Sequence, residues 1–293
     1  MIDAESTDAA TTFEPLRGYL TGLAYRMLGS RAEAEDMVQE AYLRWHAADR
    51  SAVREPRAFL SRTVTRLCLN QIKSARAQRE DYVGPWLPEP LLDDSALSVE
   101  SAGEYANDLS VALLLTLERL SPLERAAFLL HDVFDMSFEQ VAETLGREAA
   151  ACRQLAARAR NHVREEKPRF RPSAEEEARV FSAFTSALGS GDAAALSRVL
   201  AQDAVFYADG GGKVKAALKP IFGPQHIARF LLGVLRRYGS PDMQARPARI
   251  NGMPGLVLLR PSGPFQTFAL EVRDGLIARL YAVRNPDKLR YVH

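Results

Sequence analysis

The chain has 293 residues, 47% of them hydrophobic, and a formal net charge of +1. That length suits about two domains with ordinary cores, and no apolar run approaches the ~18 residues of a membrane span. No basic leader with an apolar centre opens the chain, and two cysteines, Cys68 and Cys152, support neither a disulfide framework nor a metal cluster. A soluble protein of a reducing compartment, the cytoplasm, is expected, without a membrane partner. The near-zero total hides segregation. Arg54 to Arg79 carries seven basic residues and one acid, Glu80 to Glu118 carries nine acids and no Lys or Arg, and the part after Pro172 carries sixteen basic and ten acidic residues. Blocks of opposite sign suggest basic, nucleic-acid-facing surfaces separated by an acidic connector.

In chain order, Phe13 to Leu28 has an apolar stripe (Phe13, Leu16, Leu20, Leu23, Ala24, Met27) at helical spacing and stops at Gly29. Ser30 caps a second predicted helix, Arg31 to Trp45, whose core face is Val38, Ala41, Tyr42 and Trp45. Asp36, Gln39 and Glu40 stand at i, i+3, i+4 and share its outer face, as a solvated patch or a partner site. After the loop Ala47 to Pro56, a long helix from about Arg57 to Arg79 buries Phe59, Leu60, Val64, Leu67 and Ile72. Its other face shows Arg62, Arg66, Asn70, Lys73, Arg76 and Arg79, an electrostatic footprint suited to a phosphate backbone.

The connector, YVGPWLPEPLLDD and beyond, spaces Pro85, Pro88 and Pro90 around Trp86 and Leu87, which favours extended backbone. A Trp in such a tether is costly unless it docks. From Ser121 to Arg164 three helices follow in quick succession. Ser121 and Pro122 open the first, and Ser137 caps the second, which ends at Gly146 as a left-handed C-cap. The third, Arg147 to Arg164, carries Arg147, Arg153, Arg158, Arg160 and Arg164 against one acid, Glu148. A short helix, a glycine turn and a basic helix make a helix-turn-helix fit for a major groove.

The last third changes character. Ser173 starts an amphipathic helix broken by Gly189 and Gly191, and Asp192 caps another through Leu200. A strand Ala204 to Ala208, the turn Asp209-Gly210-Gly211-Gly212 and a strand near Lys213 to Leu218 are expected next. A helix Pro224 to Tyr238 and strands Met243 to Ile250, Gly255 to Arg260, Phe265 to Val272 and Leu276 to Val283 complete an α+β domain. If it encloses a pocket, Tyr207, Asp209 and His226 are its candidate polar groups.

Two strings now point to a family. AEAEDMVQEAYLRWH with PRAFLSRTVTRLCLNQIKSARAQR resembles region 2 of bacterial sigma factors, and SPLERAAFLLHDVFDMSFEQVAETLG with LAARARNHVR resembles region 4. With no room for a region 3 domain, the chain resembles the extracytoplasmic-function class, and its last third resembles the SnoaL-like branch of the NTF2-like cone fold. WLPEP (Trp86, Leu87, Pro88, Glu89, Pro90), DGGGK (Asp209, Gly210, Gly211, Gly212, Lys213) and NPDKL (Asn285, Pro286, Asp287, Lys288, Leu289) resemble the signatures of one group of these factors with a fused SnoaL-like domain.

The resemblance implies a multi-domain fold: two all-α units, the second a helix-turn-helix, then an α+β cone. Its expected boundaries are region 2 over 10–82, an acidic Pro-rich linker over 83–106, region 4 over 107–168 and the regulatory domain over 173–293. It implies promoter-specific transcription initiation with core RNA polymerase (the β′ clamp helices and β flap) and promoter DNA as partners. Asp36, Gln39 and Glu40 would dock on the polymerase; Arg57, Arg62, Arg66, Asn70, Lys73 and Arg76 would follow the −10 element. The loop Asp49 to Glu55 would receive a flipped base. Arg147, Arg153, Gln154, Arg158 and Arg160 would bind the −35 element, with Arg153 and Gln154 at base edges and Arg158 and Arg160 at phosphates. The three signatures imply an intramolecular contact between linker and C-terminal domain that regulates the factor. No catalytic set, metal or cofactor is expected. The rivals are a one-component ligand-responsive regulator and a SnoaL-like enzyme; the Asp36-Gln39-Glu40 patch before a long basic helix has no purpose in either.

Overall fold

In the computed structural model the described residues are 4–80, 82–92, 105, 108–166 and 172–292, with side chains of 4–8, 74–80 and 166 set aside. The chain divides into two compact units, one holding both helical regions and one holding the C-terminal domain together with linker residues 82–92.

The helical unit is built from α1 (Ala4–Leu28), α2 (Arg31–Ala47), α3 (Pro56–Glu80), α4 (Val111–Arg119), α5 (Pro122–Phe128), α6 (Phe138–Leu145) and α7 (Ala149–Glu166). The apolar stripes close as the spacing requires: Phe13, Leu20, Leu23, Met27, Val38, Trp45, Leu60 and Val64 are all buried. α1 begins nine residues before the expected start at Phe13. Ala9, fully buried, gives that extra length a purpose, because its carbonyl accepts the indole N–H of Trp45 at 3.1 Å. Serines 121 and 137 each form a reciprocal capping box, with Glu124 and Gln140, each worth about 1 kcal/mol. α5 runs into a π-turn at Leu129–Val133, where Phe134 N–H reaches back to Leu129. Gly146 ends α6 at φ 63°, the left-handed geometry expected of it.

The C-terminal unit contains α8 (Ala174–Ser190), α9 (Ala193–Arg198), β1 (Leu200–Asp209), β2 (Ile221–Phe222), α10 (Pro224–Tyr238), β3 (Gln244–Ile250), β4 (Met253–Arg260), β5 (Gly263–Arg273) and β6 (Leu276–Val283). The sheet order is β2-β1-β6-β5-β4-β3, with β1 and β6 parallel and the remaining neighbours antiparallel. α8, α9 and α10 bury Phe184, Leu196, Ile227 and Leu231 against Phe206, Leu256, Phe268 and Leu280 of the sheet, the α+β cone architecture expected.

Two local expectations fail. α8 runs through Gly189 and stops at Gly191, φ 71°, which alone takes the left-handed cap. The strand expected near Lys213 to Leu218 is absent. Lys213 and Val214 N–H groups bond back to Gly210 O at 3.0 and 3.2 Å, so the turn consumes donors a ladder would need, and only Ile221–Phe222 pairs with β1.

Candidate functional site

Four surfaces matter, three in the helical unit. On α2, Asp36 and Gln39 are exposed, while Glu40 is half-buried and pairs with Arg44 at 2.9 Å. Leu43, one turn on from Gln39 and Glu40, is 54% exposed, which the sequence reading missed.

On α3, Arg57, Arg66, Asn70 and Lys73 are exposed, and Arg76 falls among the side chains outside the described residues. Arg57 lies 4.2 Å over the Tyr19 ring. Arg62 pairs with Glu143, and Arg66 donates to the backbone carbonyls of Thr144 and Glu143 at 3.1 and 3.3 Å. Those carbonyls close the C-terminal end of α6, where the helix dipole and orphan acceptors favour a cation. Two of the expected −10 contacts, Arg62 and Arg66, are therefore engaged with the helix-turn-helix in this structure. The loop expected to take a flipped base forms a single 3-10 turn, Arg50–Ala52, capped by Asp49.

On the helix-turn-helix, Arg147 precedes α7 instead of opening it, and Arg153, Gln154 and Arg158 are exposed on α7. Arg153 reaches Glu139 at 3.2 Å and lies 5.4 Å over the Phe138 ring. Arg158 meets Glu124 at 2.7 Å, and Arg160, only 28% exposed at its side chain, meets Asp132 at 2.5 Å. Arg160 thus ties α7 to the π-turn, whereas Gln154 projects clear.

The fourth surface joins the signature strings. Asp209, fully buried at the end of β1, gathers donors on both carboxylate oxygens. Oδ1 accepts the Tyr82 hydroxyl at 2.5 Å and Gly211 N–H at 3.0 Å; Oδ2 accepts Leu87 N–H at 2.9 Å and the Lys288 ammonium at 2.7 Å. Burying a carboxylate costs several kcal/mol unless partners replace water, and here every lone-pair direction is used. Lys288 also donates to Leu87 O at 2.5 Å and lies 4.3 Å from the centre of the Trp86 ring. Asn285 donates to the Tyr82 hydroxyl at 3.0 Å, and Lys213 pairs with Asp287. That pairing holds the Asp287 carboxyl below its ordinary range, while burial and then the Asp209 carboxylate push the Tyr82 hydroxyl well up. Leu87, Pro88, Glu89 and Pro90 are buried, and Leu289 is buried behind the 3-10 turn Pro286–Leu289. The glycines have steric reasons. A Cβ on Gly211, at φ 61°, would overlap the Asn285 carboxamide; one on Gly210 would overlap Val214 O; one on Gly212 would press on Val83 at 3.2 Å.

A second anchor was not foreseen. Leu91 and Asn251 exchange hydrogen bonds, Asn251 N–H to Leu91 O at 2.9 Å and Leu91 N–H to Asn251 Oδ1 at 3.2 Å, and Leu92 bridges to Ile250 at the end of β3. Buried Asn251 at φ 50° was the available signal, since Asn tolerates that backbone.

The expected polar groups of the pocket prove misplaced. A cavity of about 600 Å³ lies between the helices and the sheet, but Tyr207, Asp209 and His226 do not line it. β1 alternates faces, so Phe206 and Ala208 point in while Tyr207 and Asp209 point away. Tyr207 stacks on Tyr281 at 5.6 Å, and His226 is exposed and bonds Phe222 O at 3.1 Å. Among the described residues no cluster of His, Cys, Asp and Glu is arranged to hold a metal ion, and no helix is long and apolar enough to cross a membrane.

Comparison with known proteins identifies both helical regions. Residues 12–78 match the Sigma-70 region 2 family and residues 110–163 match Sigma-70 region 4. The chain is 39% identical over 290 residues to the ECF RNA polymerase sigma factor SigJ of Mycobacterium tuberculosis, covering 94% of this chain and 91% of that one. It is 32% identical over 277 residues to the probable ECF RNA polymerase sigma factor SigI of the same organism, covering 93% and 92%. The crystal structure of Mycobacterium tuberculosis SigJ superposes with a TM-score of 0.75 at 36% identity, covering 96% of this chain and 98% of that one. The paired helical regions, in order and with a C-terminal α+β domain behind them, place this chain in the family of ECF RNA polymerase sigma factors.

Proposed function

We propose that the C-terminal domain sets the output of this sigma factor by holding the linker between its two promoter-binding regions. The observation that carries the reading is the Asp209 carboxylate, which joins residues of WLPEP and NPDKL and the glycine turn of its own DGGGK in one buried network. Eleven linker residues, 82–92, lie along the domain. Extended, that many residues span up to about 36 Å, so whether they are held or released changes how far apart regions 2 and 4 can reach. Tethering gives the contact an effective concentration near the millimolar range, which lets a modest interface act as a switch. Within residues 82–92 the contact uses hydrogen bonds between side chains and the linker backbone, beside the buried Lys288–Asp209 ion pair.

In this reading the Asp36, Gln39 and Glu40 patch, with Leu43, docks on the β′ clamp helices of core polymerase in the cytoplasm, and region 4 meets the β flap. Arg57, Arg62, Arg66, Asn70, Lys73 and Arg76 serve the −10 element, and Arg147, Arg153, Gln154 and Arg158 serve the −35 element. Promoter engagement then requires Arg62 and Arg66 to leave the end of α6. The test is run-off transcription with sigma-free core polymerase, comparing the full chain with Asp209→Asn and Lys288→Met. A change of several-fold, with core binding unaltered, supports the reading, a rise marking the held linker as restraint and a fall marking it as support. Identical output from all three proteins rejects it.

A further inference from the structure

The C-terminal cavity pairs an apolar chamber with an arginine, Arg284, that has no acidic partner among the described residues. Its volume is about 600 Å³, within the range of small-molecule sites, and Phe181, Phe206, Phe230, Leu235, Leu256 and Phe268 are among its apolar lining. A well-packed domain leaves few voids larger than a water molecule, so a chamber of this size is a feature to be explained.

At one side the lining turns polar. Gln266 is 4% exposed, lies two residues from Phe268 on the inner face of β5, and lines the cavity without a hydrogen-bond partner among the described residues. Arg284 lines the same region. Its guanidinium lies 4.6 Å from the centre of the Phe265 ring, and that of Arg260 lies 3.7 Å from the same ring. Arg260 donates to Tyr238 O at 2.8 Å and Arg284 to Lys215 O, both neutral carbonyls. The Nε of each is buried without a partner, and neither has a carboxylate among the described residues. Burial and then the neighbouring Arg260 pull the Arg284 guanidinium below its ordinary value. Half-buried cations normally sit opposite an acid; among the described residues these two have none.

We propose that this cavity binds an amphipathic monocarboxylate, its hydrocarbon or aryl body on the aromatic wall and its carboxylate on Arg284 and Gln266, with Arg260 adding positive potential across Phe265. Charge-assisted bonds in a desolvated pocket are the strong ones, so the head group, not the body, decides the ligand class. The head-group end adjoins the linker contact: Arg284 N–H donates to Asp209 O at 2.8 Å, and Asn285 follows it in the chain. Binding itself does not depend on that contact.

The experiment titrates the full-length chain with decanoate, decan-1-ol and decylammonium below their micelle concentrations, by calorimetry and thermal shift. Decanoate is expected to bind saturably and raise Tm, at least about tenfold tighter than decanol, with decylammonium not binding. Arg284→Met is expected to keep decanol binding and lose the decanoate preference, and Val234→Trp, which fills the chamber from α10, to abolish both. The proposal is overturned if decanoate shows no saturable binding, if decanol binds equally well, or if the preference survives either substitution. The charge series on the unaltered chain decides the matter even where a variant fails to fold.

Discussion

The backbone N–H of Leu87 donates to the carboxylate of Asp209 at 2.9 Å, across 122 positions of sequence, and Lys288 bonds both partners of that contact. A side chain thus holds a linker by its main chain, so the grip depends on the path of the linker as well as on its residues. Replacing Asp209 by Asn keeps the size but removes the counter-charge of Lys288 and turns an NH₂ toward groups that are themselves donors. Breaking one side of a buried ion pair costs about 3 kcal/mol or more. Asp209→Asn is therefore expected to speed amide exchange at Leu87 by about a hundredfold, read by hydrogen-exchange mass spectrometry of the linker. Protection equal to the parent chain would show that Asp209 does not hold the linker.

Alkaline pH should release the same contact through Tyr82. Burial, followed by its hydrogen bond to Asp209, raises the Tyr82 hydroxyl above its ordinary value near 10. As pH climbs past about 10, the unfolded chain releases this proton while the folded chain still holds it, so folded-state stability falls as pH rises. The contribution is complete below pH 10 and is lost toward the raised value. Tyr281 is raised as well, by burial first, and is common to both proteins in the comparison. Tyr82→Phe should cost about 1 kcal/mol at neutral pH and flatten the alkaline loss of Tm relative to the parent. Parallel Tm curves above pH 10 would contradict the assignment.

The helices and their ends were legible because their signals are local. Ser137 and Gly146 bracket α6 by capping chemistry alone, and the stripe from Phe13 to Met27 needs only the helical period. The linker's partners were legible as strings but not as geometry. That DGGGK matters could be read; that Asp209 faces away from the cavity required the alternation of β1, which places Phe206 and Ala208 inward. Gly211 could be read as a turn residue, but that it makes room for the Asn285 carboxamide, 74 positions later, is a tertiary fact. Asn251 and Leu91 were missed for the same reason. Their exchange of hydrogen bonds, one backbone to backbone and one to the Asn251 side chain, closes a long loop, and such pairings leave no periodic trace.

Leu43 separates docking from stability. At 54% exposure it contributes little to the fold, and Leu43→Ala should leave the unfolding free energy within about 0.5 kcal/mol of the parent. If α2 meets polymerase through the Asp36, Gln39 and Glu40 face, the same change should weaken core binding by about 1–2 kcal/mol, measured by fluorescence anisotropy with sigma-free core enzyme. Unchanged affinity would remove Leu43 from the interface and leave the polar patch alone.

The recognition helix offers the sharpest division of labour. Arg153 and Gln154 are exposed on α7 and reach base edges in the expected docking, whereas Arg158, one turn on, is held at 2.7 Å by Glu124. Arg153 has a carboxylate neighbour too, Glu139 at 3.2 Å, so the division of roles rests on the expected docking of α7 and not on these ion pairs. Arg153→Ala should cost about 1–3 kcal/mol at one −35 position and relax discrimination there. Arg158→Ala should weaken binding nearly equally across sequences and reduce the salt slope by about one. Both follow from binding measured against a set of single-position −35 variants at several salt concentrations. Equal loss of discrimination in the two proteins would reject the assignment, because a phosphate contact cannot tell one base pair from another.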